Sequence, residues 1–117
     1  MRGDGPIYEQ IVDMIEDRIL AGDYRPDDLI MSVPQMSKLL SVNPTTAQRA
    51  VTVMTDRGLI HRKRGIGMAV TTEARDIILT ARRQAFYERA LPDFIAEARR
   101  IGLSDHDLLD LVQERLS

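Results

Sequence analysis

The chain has 117 residues, 44% hydrophobic and 29% charged, with net charge −2 and no cysteine, which suits one domain, or one small domain with an appendage, of ordinary globular composition. The missing cysteine excludes a disulfide framework and a thiolate metal site and fits a reducing compartment. No apolar run approaches the ~18 residues of a membrane helix and MRGDGPIYEQ has no signal-peptide core, so a cytoplasmic protein without membrane contact is expected.

Residues 1–6 read as a loose tail. From Ile7 to about Ala21, Ile7, Ile11, Ile15 and Ile19 recur every four residues beside Val12, with Glu9, Asp13, Glu16 and Asp17 on the opposite face. This is an amphipathic helix ended by Gly22, with an acidic, solvated face. Asp23 to Met31 holds a Pro-Asp-Asp turn and then a short apolar run that suits an edge strand. Ser32 is the expected N-cap of a short helix over Val33 to Leu40, with Pro34 in its first turn and Val33, Met36, Leu39 and Leu40 as its apolar side.

The stretch SVNPTTAQRAVTVMTDRG, Ser41 to Gly58, carries the strongest signal. Asn43 caps a helix, Pro44 suits its first position and Gly58 its end. Ala47, Ala50, Val51 and Met54 form a buried stripe. Thr45, Arg49, Thr52 and Asp56 point the other way, with Gln48 on the flank. The first turns of that outer face carry hydroxyls, an amide and a guanidinium, the groups that bond to base edges and phosphates. A short helix, a tight turn and this longer helix make a helix-turn-helix, the second helix being the reading one.

After Gly58 the chain reads LIHRKRGIGMAVTT. Apolar Leu59-Ile60, basic His61 to Arg64, a Gly65-Ile66-Gly67 turn and apolar Met68-Ala69-Val70 predict a β-hairpin with a basic, glycine-rich tip. A hairpin placed directly after a helix-turn-helix makes a winged helix, with Arg62, Lys63 and Arg64 set for phosphates. The charge agrees. Residues 1–35 hold three arginines against eight acidic residues, residues 36–67 six basic residues against Asp56 alone, and residues 68–117 seven arginines against nine acidic ones. The basic middle is a local polyanion-binding footprint in an acidic protein.

Residues 72–117 read as a separate unit. Ala74, Ile77, Ile78, Ala81, Ala85, Leu91, Ile95, Ala98 and Ile101 sustain a helical stripe, which Pro92 should kink or break near Ala90–Leu91. Gly102 stops it. Ser104-Asp105-His106-Asp107 resembles a capping box with Asp107 in place of the usual Glu or Gln, and opens a last helix bearing Leu108, Leu109, Leu111, Val112 and Leu116. Helices with this much apolar surface need a partner. A second copy is favoured, with Ile77, Ile78, Ala81, Phe86, Leu91, Phe94, Ile95, Leu108, Leu109 and Val112 as the dimerisation residues, because a twofold dimer reads two half-sites about one helical turn apart.

PIYEQI, the Ser32-Val33 pair, VNPTTAQRAV, DRGLI and RKRGIG together resemble the winged-helix domain of GntR-type bacterial transcription regulators, over about residues 6–71. The tail, with ARRIGLSDHDLLDLV, resembles the two-helix dimerising segment of the YtrA-like branch, which lacks a large ligand-binding domain. The resemblance implies a mainly α fold with one small hairpin: a winged helix-turn-helix over residues 7–71 and a kinked dimerisation tail over 72–117. It implies double-stranded DNA as partner, and DNA contacts from Asn43, Thr45, Thr46, Gln48 and Arg49 and from Arg62, Arg64, Gly65 and Gly67. Three positions depart from the family pattern. Pro34 stands where an arginine often contacts DNA, the Pro-Gly-Asp turn reads Pro26-Asp27-Asp28, and Ile66 sits between the wing glycines. The loss at Pro34 puts more weight on Arg49 and the wing.

Two other classes of function fit less well. His61 and His106 have no metal-ligand partner at useful spacing and the serines and threonines no nearby base, so no enzyme, metal or cofactor is expected. A winged helix that docks on protein or RNA should expose apolar groups where Thr45, Gln48, Arg49 and Thr52 are polar. No segment suits a separate sensor domain. A small-molecule effector would have to use the tail helices or the dimer interface, where Phe86 and Phe94 read as ordinary packing.

Overall fold

The structure, a computed structural model, describes residues 6–117. The loose tail expected over residues 1–6 lies outside them except for Pro6, whose carbonyl accepts the Glu9 and Gln10 amides at 3.1 and 3.2 Å. The chain divides into two compact units, one running to Thr80 and one over Ala81–Ser117.

In the first unit, α1 (Ile7–Ala21) is followed by α2 (Val33–Leu40) and α3 (Pro44–Asp56). Local chemistry starts α2 and α3. The Gln35 amide donates to Ser32 Oγ at 3.2 Å and the Ser32 amide to Gln35 Oε1 at 2.9 Å, a full capping box. The Thr45 amide donates to Asn43 Oδ1 at 2.8 Å. Between the helices, Ser41 is left-handed at φ +53° and turns the chain in three residues. After α3 come the antiparallel strands β1 (Ile60–Lys63) and β2 (Gly67–Val70), paired from Ile60 with Val70 to Lys63 with Gly67. The edge strand expected over Asp23–Met31 contracts to one bridge, Leu29 with Ala69.

One core holds this unit together. Ile11, Ile15 and Ile19 of α1 meet Met36 of α2, Ala47, Ala50, Val51 and Met54 of α3, and Leu59, Ile60 and Val70 around the hairpin. Fully burying each large side chain is worth about 1.5–3 kcal/mol against conformational entropy. Ala47 and Ala50 are wholly buried, and their small size lets α3 lie close on its neighbours. The acidic face of α1 is not wholly solvated. Glu16 is 8% exposed and pairs with Arg57 at 3.5 Å, tying the end of α3 to α1.

Helix α4 (Ala74–Ala85) corrects one assignment. Ile78 is 1% exposed and belongs to the core of the first unit, and Ile77 packs against that core. Ile78 has no surface left for a second copy and leaves the dimerisation set, whereas Ile77 keeps part of its surface. The division accordingly falls at Thr80, beyond the boundary expected after Thr71. Periodicity shows that a face is buried, not what buries it.

The second unit holds the end of α4, a π-helical stretch Phe86–Ala90, α5 (Leu91–Arg100) and α6 (Asp105–Leu116). The expected kink or break at Pro92 takes the form of that π stretch, in which the Leu91 amide reaches back to the Phe86 carbonyl. A proline inside a helix removes one hydrogen bond and crowds the carbonyl four residues back, here Glu88, and a widened turn relieves both. The Ser104–Asp107 capping box forms as read, with the Asp107 amide 3.0 Å from Ser104 Oγ. Arg99 reaches Asp105 at 3.3 Å and fastens α5 to α6. Among the described residues no helix is long and apolar enough to cross a membrane.

Candidate nucleic-acid interface

The buried stripe of α3 leaves the other side of the helix outward. Thr45, Gln48, Arg49 and Thr52 are exposed and Thr46 is half-buried. Among the described residues, none of the exposed large apolar side chains lies on α3. Gln48 Nε2 donates to Thr52 Oγ1 at 3.4 Å, a long bond that a better acceptor displaces easily. Asn43 is already in use, because its side-chain oxygen caps α3, and only its NH₂ remains for a partner.

Arg49 is the most organised of these residues. Its Cζ lies 4.2 Å from the centroid of the Tyr8 ring, and its Nη2 donates to the Tyr8 hydroxyl at 3.5 Å. Tyr8 was no part of the sequence-based site. It sits 41 residues from Arg49 along the chain, and no local pattern links them. The PIYEQI motif contained it only as part of a helix start.

The hairpin stands beside α3. Arg62 and Gln48 line one cleft of about 610 Å³, with Ser32, Gln35 and Ile66 also on its walls. The Ile66 amide closes the tip onto the Lys63 carbonyl at 2.9 Å. At that tip Gly65 has φ +76°, and a Cβ there would meet nothing within 4 Å. Its requirement is therefore conformational, not spatial. Gly67 begins β2 opposite Lys63. Arg62 and Arg64 are exposed and carry no ion pair among the described residues. Ile66 is 66% exposed between them and β2, an apolar tip on a cationic wing.

Lys63 is placed differently from its neighbours. Its Nζ lies 2.5 Å from Asp27 Oδ1. Lys63 is held back toward the base of the hairpin, and the three basic residues are not equivalent. Asp27 itself is left-handed at φ +73°. Two residues after Ser32, where the family pattern often has an arginine, Pro34 is exposed in the first turn of α2 and offers no donor.

The chemistry available is therefore polar and cationic recognition from one helix face and one hairpin tip. Among the described residues no group of three or more His, Cys, Asp or Glu side chains could hold a metal ion. His61 is exposed in β1, and His106 pairs with Asp110 at 3.4 Å on the surface of α6.

The remaining site residues belong to the second unit. Phe86, Leu91, Phe94, Leu109 and Val112 are exposed, as is Ala81, while Ile95 and Leu108 are half-buried. Ala98 is the one buried residue in this unit. Two apolar clefts flank the α5–α6 pair, of about 470 and 390 Å³, and Phe94, Leu108 and Val112 line both.

The family model described as bacterial regulatory proteins, gntR family, matches residues 7–70. YhcF of Bacillus subtilis, an uncharacterized HTH-type transcriptional regulator, is 30% identical over 105 residues, covering 90% of this chain and 85% of that protein. The HTH-type transcriptional repressor YtrA of the same organism is 26% identical over 113 residues, covering 97% and 86%. A solved GntR family transcriptional regulator from Listeria monocytogenes superimposes with TM-score 0.75 at 31% identity, covering 97% and 98%. The helix-turn-helix, the basic wing and these likenesses agree: the chain belongs to the gntR family of bacterial regulatory proteins and is a DNA-binding transcription regulator, not an enzyme.

Proposed function

We propose that the chain is a homodimeric cytoplasmic repressor that occludes a promoter by occupying a palindromic operator. The first two turns of α3 enter the major groove, and the wing lies over the backbone and the adjoining minor groove. The observation that carries this reading is the polar, outward face of α3 standing across one cleft from Arg62 of the wing. Thr45, Thr46, Gln48 and Arg49 supply base-edge and phosphate contacts, joined by the free NH₂ of Asn43. Arg62 and Arg64 supply phosphate contacts, with Gly65 and Gly67 allowing close approach. Lys63 is the reserve cation, available once it leaves Asp27.

The homodimer is supported by the second unit. Its large apolar side chains stay exposed, Phe94 at 50% and Leu109 at 67%, and a unit without a closed core needs a partner. A second copy supplies the same surface under twofold symmetry, which is the symmetry a palindrome requires. Repression is supported by the likeness to the repressor YtrA.

In vitro selection of DNA sites with the purified protein tests the reading. Enrichment of a palindrome with half-sites one helical turn apart is the expected result, and no enrichment at low salt overturns it. Removing Arg49 should then cost about 1–3 kcal/mol and relax preference at one position if it reads a base. If Arg49 binds a phosphate, the loss is uniform across sequences and the salt slope falls.

A further inference from the structure

We infer that Tyr8 is the positioning residue for Arg49, so that a residue of α1, outside the helix-turn-helix, helps decide what the recognition helix reads. This rests on the reading of α3 as the DNA-contacting helix. Three contacts carry it. The Arg49 guanidinium sits over the Tyr8 ring, with Cζ 4.2 Å from its centroid. One guanidinium N–H donates to the Tyr8 hydroxyl at 3.5 Å. That hydroxyl in turn donates to Glu9 Oε1 at 3.3 Å.

The order of donors matters. A phenol has one proton to give. Tyr8 gives it to Glu9, so its oxygen is left as an acceptor for Arg49. Both bonds are long, so the ring face does most of the holding and the hydroxyl, itself turned by the carboxylate, adds a weaker second contact. Tyr8 is itself held, since it is half-buried and packs against the core of the first unit. An exposed arginine elsewhere on a helix samples many rotamers, and freezing them at a groove weakens binding. Here the ring attracts the cation as a whole and the hydroxyl takes one donor. The other donors stay free beside Thr45 and Thr46, which line the same groove of about 410 Å³ with Tyr8 and Arg49. Arg49 is thus pre-set before DNA arrives, and preorganisation of this kind shows as affinity and as sharper discrimination.

The experiment uses the full chain and a duplex recovered by in vitro selection with the unaltered protein. Affinity is measured for that duplex, for its single-base variants across one half-site, and over a salt series, with Tm recorded for every variant. Arg49→Ala first defines the signature of the arginine, either a flattened base preference or a lowered salt slope. Tyr8→Leu should reproduce that same signature and weaken binding by about 2- to 30-fold, the range of a cation–π contact. In the Arg49→Ala background Tyr8→Leu should cost nothing further. Tyr8→Phe, which keeps the ring, should lose only a fraction of the effect.

A purely structural Tyr8 lowers Tm, leaves the base profile and slope as they were, and adds its loss to that of Arg49→Ala; that result overturns the positioning role and leaves the interface reading intact. If Arg49→Ala itself changes neither profile nor slope, the interface reading falls and the positioning role with it. Should Tyr8→Leu fail to fold, Tyr8→Phe carries the test, since losing the hydroxyl bond must weaken binding in the Arg49 background and not in Arg49→Ala.

Discussion

At Asp27 the backbone is left-handed, and its carboxylate holds Lys63 at 2.5 Å. Replacing this residue separates two effects. A left-handed conformation costs an L-residue roughly 1–2 kcal/mol, at the low end for aspartate, which tolerates it. Glycine removes that strain but gives the unfolded chain about 0.4–1 kcal/mol of extra freedom. The ion pair is exposed on its acidic side and is worth about 0–1 kcal/mol. The Asp27 amide bond to the Val70 carbonyl, at 2.8 Å, survives in either residue. These terms nearly cancel, so Asp27→Gly should leave stability within about 1 kcal/mol, a Tm shift of a few degrees. DNA binding should change more. A released Lys63 that finds a phosphate steepens the dependence of log K on log salt by about 0.9 per wing. Between 50 and 200 mM salt that extra steepness amounts to about 3.5-fold in relative affinity per wing. Asp27→Asn is the matched control, because it removes the charge and keeps a residue that accepts the left-handed conformation. Fluorescence anisotropy across a salt series reads the slope. Slopes equal to that of the unaltered protein in both variants would refute the idea that Asp27 withholds Lys63 from the backbone.

Four further outcomes follow from the packing. Ile78→Ala should destabilise the first unit by about 2–5 kcal/mol in a urea titration without changing the oligomeric state, whereas Phe94→Asp should leave a monomer in sedimentation analysis, as the proposed dimer requires, and leave the unfolding of the first unit unchanged. Gly58 has φ +79°, and a Cβ there would stand 3.4 Å from Ile77 Cδ1; Gly58→Ala should therefore lower stability by about 1–2 kcal/mol, measured as a reduced denaturation midpoint with an unchanged m-value. Ser104→Ala removes the hydroxyl that accepts the Asp107 amide, keeps the backbone amide that donates to the Asp107 carboxylate, and should cost about 1 kcal/mol, seen as a lower Tm.

The features legible in the sequence were those written in a few adjacent residues. Asn43-Pro44 and Ser32 mark the starts of α3 and α2, Gly22 the end of α1, and Ser104 with Asp107 the start of α6, each through its own cap. The wing was legible because strand, cationic tip and glycine turn follow one another within a dozen residues. What escaped was decided between distant residues. The stripe through Ala74, Ile78 and Ala81 is continuous in sequence, yet Ile78 is buried and Ala81 exposed, because only the first part of α4 meets the core. Pro92 marked where the helix is disturbed but not that a widened turn would absorb it. Tyr8 with Arg49, Asp27 with Lys63 and Glu16 with Arg57 are all pairs between elements. The charge count treated Arg57 and Lys63 as ready cations, although each has a carboxylate beside it.

The separation of Ala47, Ala50, Val51 and Met54 from Thr45, Gln48 and Thr52 has a consequence for how such a regulator changes over generations. On the proposed reading of α3, stability and readout are written on different residues of one helix. Substitutions at the outward positions fall in the class that shifts stability by less than about 0.5 kcal/mol, so new readouts are reachable by single steps without an unfolded intermediate variant. Inward positions allow no such drift, since a larger residue at Ala47 or Ala50 has no space to enter. Arg49 is the exception on the outward face. Its change alters the setting of Tyr8 as well, so replacements at 8 and 49 should arise as pairs, while 45, 48 and 52 vary one at a time.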